Sequence, residues 1–173
     1  MKLLVIDIQK GITDERLYNF EEFISSVTTL ISAARENGVE VIYVQHDDGP
    51  GTGFSAGDED YEIAPQVAPL KGEKIYSKTI NSCFGNKEFA AYLDDEDTLM
   101  IVGLQTNFCI DATIKSAFER GYKVIVPQNA NSTFDNDYMD RETTYKYYNE
   151  MMWPKRFAEC VTVDEAARKL SSK

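Results

Sequence analysis

The sequence predicts an α/β fold with a mostly parallel sheet covered on both faces. Two observations carry that expectation. Short β-branched runs alternate with helical patterns along the chain, and those runs are almost continuously apolar rather than alternating, as strands buried on both faces are. The runs are KLLVIDI (2–8), VEVIYVQ (39–45), KIYS (74–77), TLMIVGL (98–104), KVIVPQ (123–128) and CVTV (160–163). They make a six-stranded sheet, and the whole chain reads as one Rossmann-like three-layer α/β/α domain over residues 1–173.

Each connecting helix has its own signature. Phe20, Phe23, Ile24, Val27, Leu30, Ile31 and Ala34 mark one face of a helix between the first two strands, with Asn19 and Glu22 as a capping pair and Gly38 as its stop. Residues 86–93, 108–120, 140–150 and 164–171 are the further helices. Residues 46–72 are rich in Gly, Asp and Pro and form a long irregular loop, expected to be a lid or pocket rim. Within it GTGFSA (51–56) matches a dinucleotide-type glycine pattern, but GDED follows where a helix must open, so no phosphate site is expected.

Composition narrows the function. Eighteen basic against twenty-nine acidic residues give a net charge of −11, which disfavours nucleic acid and anionic membrane surfaces as partners. The apolar run in MKLLVIDIQKG is too short for a signal peptide or a membrane span, so the cytoplasm is the expected compartment. Three cysteines without a C-x-x-C pattern indicate neither a disulfide framework nor a cysteine-type zinc site. A small-molecule substrate, with no cofactor, fits this balance.

The chemistry centres on GLQTNFC (103–109), which joins an apolar strand to a helix whose face is Ile110, Ile114, Ala117 and Phe118. Cys109 therefore stands near a helix start, where the macrodipole is expected to lower its thiol pKa. In an open parallel sheet, ligands bind beyond the carboxyl ends of the strands. Asp7 ends the first strand, Lys78 follows the third and Cys109 follows the fourth, so the three belong at one edge. Each alone has an ordinary structural reading. Together a carboxylate, a cation and a thiol form a set that can activate a nucleophile and move a proton.

These residues resemble a known family. Asp7-Ile-Gln9, Lys78 followed by Ser82-Cys-Phe84, and Gly103-Leu-Gln-Thr106 leading into Cys109-Ile look like the isochorismatase-like cysteine hydrolases, which include nicotinamidases and N-carbamoylsarcosine amidases, over residues 3–133. The resemblance implies that Asp7 takes the thiol proton, Lys78 keeps the carboxylate ionised and Cys109 attacks an amide-like carbonyl to form a thioester. It also implies a cis peptide at Leu104–Gln105, with the N–H groups of Gln105 and Cys109 aimed at the oxyanion. Gln9, His46, Phe84 and Phe108 are the expected substrate-binding residues. A dimer or tetramer is the expected assembly, with the Tyr- and Met-rich stretch 138–153 in the core or at the interface.

Two departures shape the reading. Metal-binding members use a carboxylate and several histidines after the second strand, whereas His46 is the one histidine here and is followed by Asp47 and Asp48, so no metal is expected. Gln105 is bulkier than the alanine common at that position, and with the missing metal this makes nicotinamide a less favoured substrate. Members that cleave a vinyl ether often lack the cysteine, so its presence favours C–N bonds. The competing readings are an isochorismatase-type vinyl-ether hydrolase, an inert oligomeric small-molecule binder, and a redox protein using Cys109.

Overall fold

A computed structural model describes residues 1–93 and 95–172. Strands β1 (Lys2–Ile6), β2 (Glu40–His46), β3 (Lys74–Lys78), β4 (Thr98–Leu104), β5 (Lys123–Pro127), β6 (Asn131–Ser132) and β7 (Glu159–Val161) form one sheet in the order β3-β2-β1-β4-β5-β7, with β6 also paired to β4. All of these pairings are parallel. The sheet thus has seven strands rather than the expected six. The extra strand is two polar residues that prolong the ladder beside Gly103 and Leu104, too short to show an apolar run in the sequence.

Alternation along β1 explains the three layers. Leu3 and Val5 pack with Phe23, Val27 and Leu30 of α1 (Phe20–Glu36) and with Ala166 and Leu170 of α5 (Val163–Ser171). Leu4 and Ile6 point the other way, into a cluster with Phe89 of α2 (Lys87–Tyr92) and Ile114 and Ala117 of α3 (Asp111–Glu119). Both faces of the strand are therefore dry, which is why KLLVI carries no polar alternation.

The helix ends follow recognisable chemistry, with one correction. Asn86 caps α2 and Thr162 with Glu165 forms a capping box on α5. Asn19 does not cap α1: it lies in the left-handed region at φ 49 and its side chain makes no cap bond, whereas a capping residue needs an extended backbone. Gly38, at φ +67, ends that helix as expected. Helix 140–150 is α4 (Arg141–Lys146) passing into a π-turn over Tyr147–Met152. Trp153 behind it is fully buried and donates to Asp111 Oδ1 at 2.9 Å, so this part of the aromatic stretch belongs to the core. Among the described residues no helix is long and apolar enough to cross a membrane.

Candidate active site

The strand order reverses between β1 and β4, because β1 leads outward to β2 and β3 while β4 lies on its other side. At that switch point the two strands close together at Ile6 and Gly103. Gly103 has φ +131, and a Cβ there would stand 2.0 Å from the Ile6 carbonyl oxygen, so only glycine allows the approach. Beyond it the Leu104–Gln105 peptide is cis, as the resemblance implied. The chain then enters a π-turn over Thr106–Ile110 before α3 begins. Cys109 sits in this turn, not in the first turn of a regular α-helix.

A buried polar network fixes the turn. Thr106 Oγ1 donates to Asn131 Oδ1 at 2.7 Å, and Asn131 and Asn149 exchange amide hydrogen bonds at 2.9 and 3.0 Å. Thr133 Oγ1 lies 2.6 Å from Asn107 Oδ1 and 3.3 Å from Gln105 Oε1. The two-residue β6 thus delivers Asn131 to the cysteine turn. Nothing in the sequence pattern marks Asn131 for this role, because it depends on a two-residue strand with no apolar signature.

Asp7, Lys78 and Cys109 meet. Asp7 turns out of β1 at φ 53, with its N–H donating to the Val44 carbonyl at 2.8 Å. Lys78 ends β3 in register with His46 at the end of β2. Its side chain is fully buried, and Nζ lies 2.8 Å from Asp7 Oδ2, 3.0 Å from His46 Nδ1 and 3.2 Å from Cys109 Sγ. Because an ammonium has no lone pair, Nδ1 of His46 accepts and Nε2 carries the hydrogen that faces Asp48 Oδ1 at 3.0 Å. Asp7, His46 and Cys109 also place ligand-type atoms within 4.8 Å of one another, a set that could hold a metal ion. All three are already bonded to the Lys78 ammonium, so a cation stands at their centre.

The electrostatics correct one expectation. Burial, reinforced by the negative charge of Asp7 and opposed by Lys78, pushes the Cys109 thiol up to about 12, where a helix start alone would have lowered it. Burial also holds the Asp7 carboxyl above its ordinary value, against the pull of Lys78. Burial disfavours the Lys78 charge, yet Asp7 and its neighbours outweigh this and hold the ammonium above its usual range. The site at rest is an ion pair beside a neutral thiol. Asp7 Oδ1 is buried and has no hydrogen-bond partner among the described residues.

A cavity of about 210 Å³ opens onto the thiol, lined by Asp7, Ile12, His46, Asp48, Phe54, Asn81, Gln105, Phe108 and Cys109. His46 and Phe108 therefore lie where the sequence reading put them. Gln9 and Phe84 do not. Gln9 is fully buried and ties two backbone segments together, donating to the His46 and Tyr61 carbonyls and accepting from the His46 N–H. Phe84 packs in the core against Phe89 and Tyr122, with the Arg120 guanidinium over its ring. Their places were mistaken because a residue next to a motif need not face the motif's cavity. Ile12, Phe54 and Asn81 carry no signal in the sequence, and Asp48 enters there only as a candidate metal ligand beside His46, since all four come from loops whose course the sequence does not reveal. Residues 60–64 pair with 8–11 through Lys10, Gly11 and Ala64, and Gly11 has no room for a Cβ against Asp60. The long loop is a fastened wall of the cavity.

The α/β sheet thus gathers a carboxylate, an ammonium and a thiol at its switch point. The Isochorismatase domain matches residues 2–165, and the chain belongs to the isochorismatase family of hydrolases. The Bacillus subtilis isochorismatase family protein YrdC is 29% identical, covering 94% of this chain and 92% of that protein. The ureidoacrylate amidohydrolase RutB of Rhizobium rhizogenes is 24% identical over 95% of this chain and 84% of its own length. A crystal structure of an isochorismatase family protein superposes with a TM-score of 0.83 at 27% identity, covering 93% of this chain and 97% of that one.

Proposed function

We propose that this protein is a cysteine hydrolase that cleaves a C–N amide bond of a small molecule through a thioester on Cys109. The observation that carries the reading is the Lys78 ammonium, buried and bonded at once to Asp7 Oδ2 and Cys109 Sγ at the floor of the cavity. The similarity to an amidohydrolase supports the choice of bond.

The reaction follows from the proton inventory. A thiol held near 12 is a poor nucleophile alone, so it must lose its proton as it attacks, and Asp7, with a free oxygen beside it, is the acceptor. Burial makes Asp7 a stronger base than an exposed aspartate, and Lys78 balances the charge as it passes from carboxylate to thiolate. The sulfur adds to the carbonyl carbon, and the oxyanion is received by the N–H groups of Gln105 and Cys109. Asp7 then hands its proton to the departing nitrogen, the C–N bond breaks and an acyl thioester remains. A water molecule gives a proton to Asp7 and attacks the thioester. The second tetrahedral adduct releases the carboxylic acid and takes the proton back on sulfur. The net change is amide plus water to acid plus amine, with the enzyme restored.

Incubation with a panel of small amides, followed by rapid acid quench and peptide mass mapping, tests the reading. The expected result is amine or ammonia release together with an acyl mass increment on the peptide carrying Cys109. Turnover that persists in Cys109→Ala would sink it.

A further inference from the structure

The cavity above Cys109 presents uncompensated charge of one sign. No lysine or arginine is among its lining residues, and Lys78 beneath it is fully buried and committed to Asp7, His46 and Cys109. Asp7 and Lys78 cancel as a pair, and His46 faces Asp48 through a neutral ring hydrogen. The charge left over belongs to Asp48. Its Oδ1 accepts from His46 Nε2 at 3.0 Å, Oδ2 has no partner among the described residues, and the side chain is 54% exposed. The carboxylate is held in place, because the Asp48 N–H donates to the Phe54 carbonyl at 3.0 Å, so both residues reach the cavity from one closed turn.

We propose that the site selects small amides that carry a positive charge and rejects carboxylates, with Asp48 as the residue that decides between them; this rests on the cysteine-hydrolase reading. A cation entering the cavity gains a charge-assisted hydrogen bond to Oδ2, in a cavity whose walls include the aromatic side chains of Phe54 and Phe108. An anion would lose water beside Asp48 and find no partner, which is discrimination by repulsion. The acidic run Asp58, Glu59, Asp60 and Glu62 adds to the same field, offset only in part by Lys10, whose ammonium pairs with Glu59 and Glu62. Distance sets the substrate's length: Asp48 stands no more than three polar contacts and one imidazole ring from the sulfur. A volume of about 210 Å³ lies below the roughly 300 Å³ at which drug-sized pockets begin, so the substrate is short.

Methanethiosulfonates that differ in charge report on the approach to Cys109 with no substrate in hand, since the thiolate simply displaces methanesulfinate and forms a mixed disulfide. At about 0.15 M salt, where charges more than ~8 Å away are screened, the 2-aminoethyl reagent is expected to modify Cys109 about 10-fold faster than the 2-sulfonatoethyl reagent. Each rate is first divided by that with free 2-mercaptoethanol. Asp48→Asn is expected to cut this ratio at least ~3-fold, in keeping with loss of one charge–charge contact near a protein surface. In parallel, 3-aminopropanamide should release ammonia with a kcat/KM about 10-fold above that of succinamate. Equal normalised rates for the two reagents, or a preference for succinamate, would overturn charge selection while an acyl-Cys109 intermediate left the hydrolase reading standing. A ratio unmoved by Asp48→Asn would remove Asp48 from the role. If that variant fails to fold, the wild-type ratio and its decline with added salt decide the matter. Absence of both labelling and acyl-enzyme would bring down the hydrolase reading and this inference with it.

Discussion

Cys83 and Cys109 lie in the same apolar cluster under the sheet, both buried and both with thiols pushed up to about 12 by burial. Their surroundings differ in kind. Cys83 has no exposure and meets Thr113 Oγ1 at 3.5 Å, a neutral hydroxyl. Cys109 meets an ammonium at 3.2 Å, a carboxylate with a free oxygen, and the floor of a cavity. A depressed resting pKa is therefore not what separates a reacting thiol from an inert one here. What separates them is a base that can take the proton, a cation that keeps the total charge level, and room for the substrate.

The sharpest way to break the comparison is to remove each part in turn. Asp7→Asn and Cys109→Ala are each expected to lower kcat/KM by about 10⁴-fold or more, because members of a catalytic unit fail together. Cys83→Ala should stay within about 3-fold of wild type while losing roughly 1 kcal/mol of stability from the space left behind. Steady-state ammonia release and thermal melts measure the two effects. Comparable kinetic losses at both cysteines would erase the distinction.

A pH profile sharpens it next. Asp7 has to be ionised to accept the thiol proton, and its carboxyl is held above the ordinary 3.8, so activity must fall as the pH drops through that raised value. Alkylation of Cys109 by iodoacetamide should follow the same acid limb and be much faster than that of Cys83, which has no base to hand its proton to. On the alkaline side neither Lys78, held above its usual range, nor a thiol near 12 titrates first. An acid limb at or below 3.8, or equal labelling of the two cysteines, would count against Asp7 as the base.

Much of this contrast was legible before the structure. The apolar strands gave the layers, and the rule that ligands gather at carboxyl ends of strands picked Asp7, Lys78 and Cys109 from positions far apart in the chain. The family resemblance, rather than the pattern, supplied the cis peptide at Leu104–Gln105 and the place of His46 beside the cavity. Three things were hidden for physical reasons. Gln9 and Phe84 adjoin motif residues but point into backbone and core, and the direction of a side chain beyond a strand end depends on turns the pattern does not encode. Asp48 and Phe54 reach the cavity only because the loop is fastened to residues 8–11 by backbone hydrogen bonds, which any sequence could supply. The rise in the Cys109 pKa came from burial beside a carboxylate, a tertiary effect that outweighs the helix-end effect visible locally.

The smallest expected effect concerns two threonines, one beside each cysteine. Thr106 and Thr113 are both fully buried. Thr113 Oγ1 accepts from the Cys83 N–H at 3.2 Å, and Thr106 Oγ1 donates to Asn131 Oδ1 at 2.7 Å. Replacing either by valine keeps the shape and deletes the buried hydroxyl's hydrogen bonding, one bond at Thr106 and two at Thr113, so both variants should lose on the order of 1 kcal/mol of stability or somewhat more. Their kinetic consequences should part. Thr113→Val loosens a packed thiol that does no chemistry, and kcat should stay within about 2-fold of wild type, as for substitutions that spare the reacting groups. Thr106→Val frees the π-turn that aims Cys109, and a misplacement of even a fraction of an ångström is costly to a reaction that depends on alignment, so kcat should drop about 10-fold. KM should move less than kcat, since the cavity walls Phe54, Asn81 and Asp48 are untouched. Equal kcat in the two variants at equal loss of stability would mean that the Asn131 network merely holds the fold together and does not position the nucleophile.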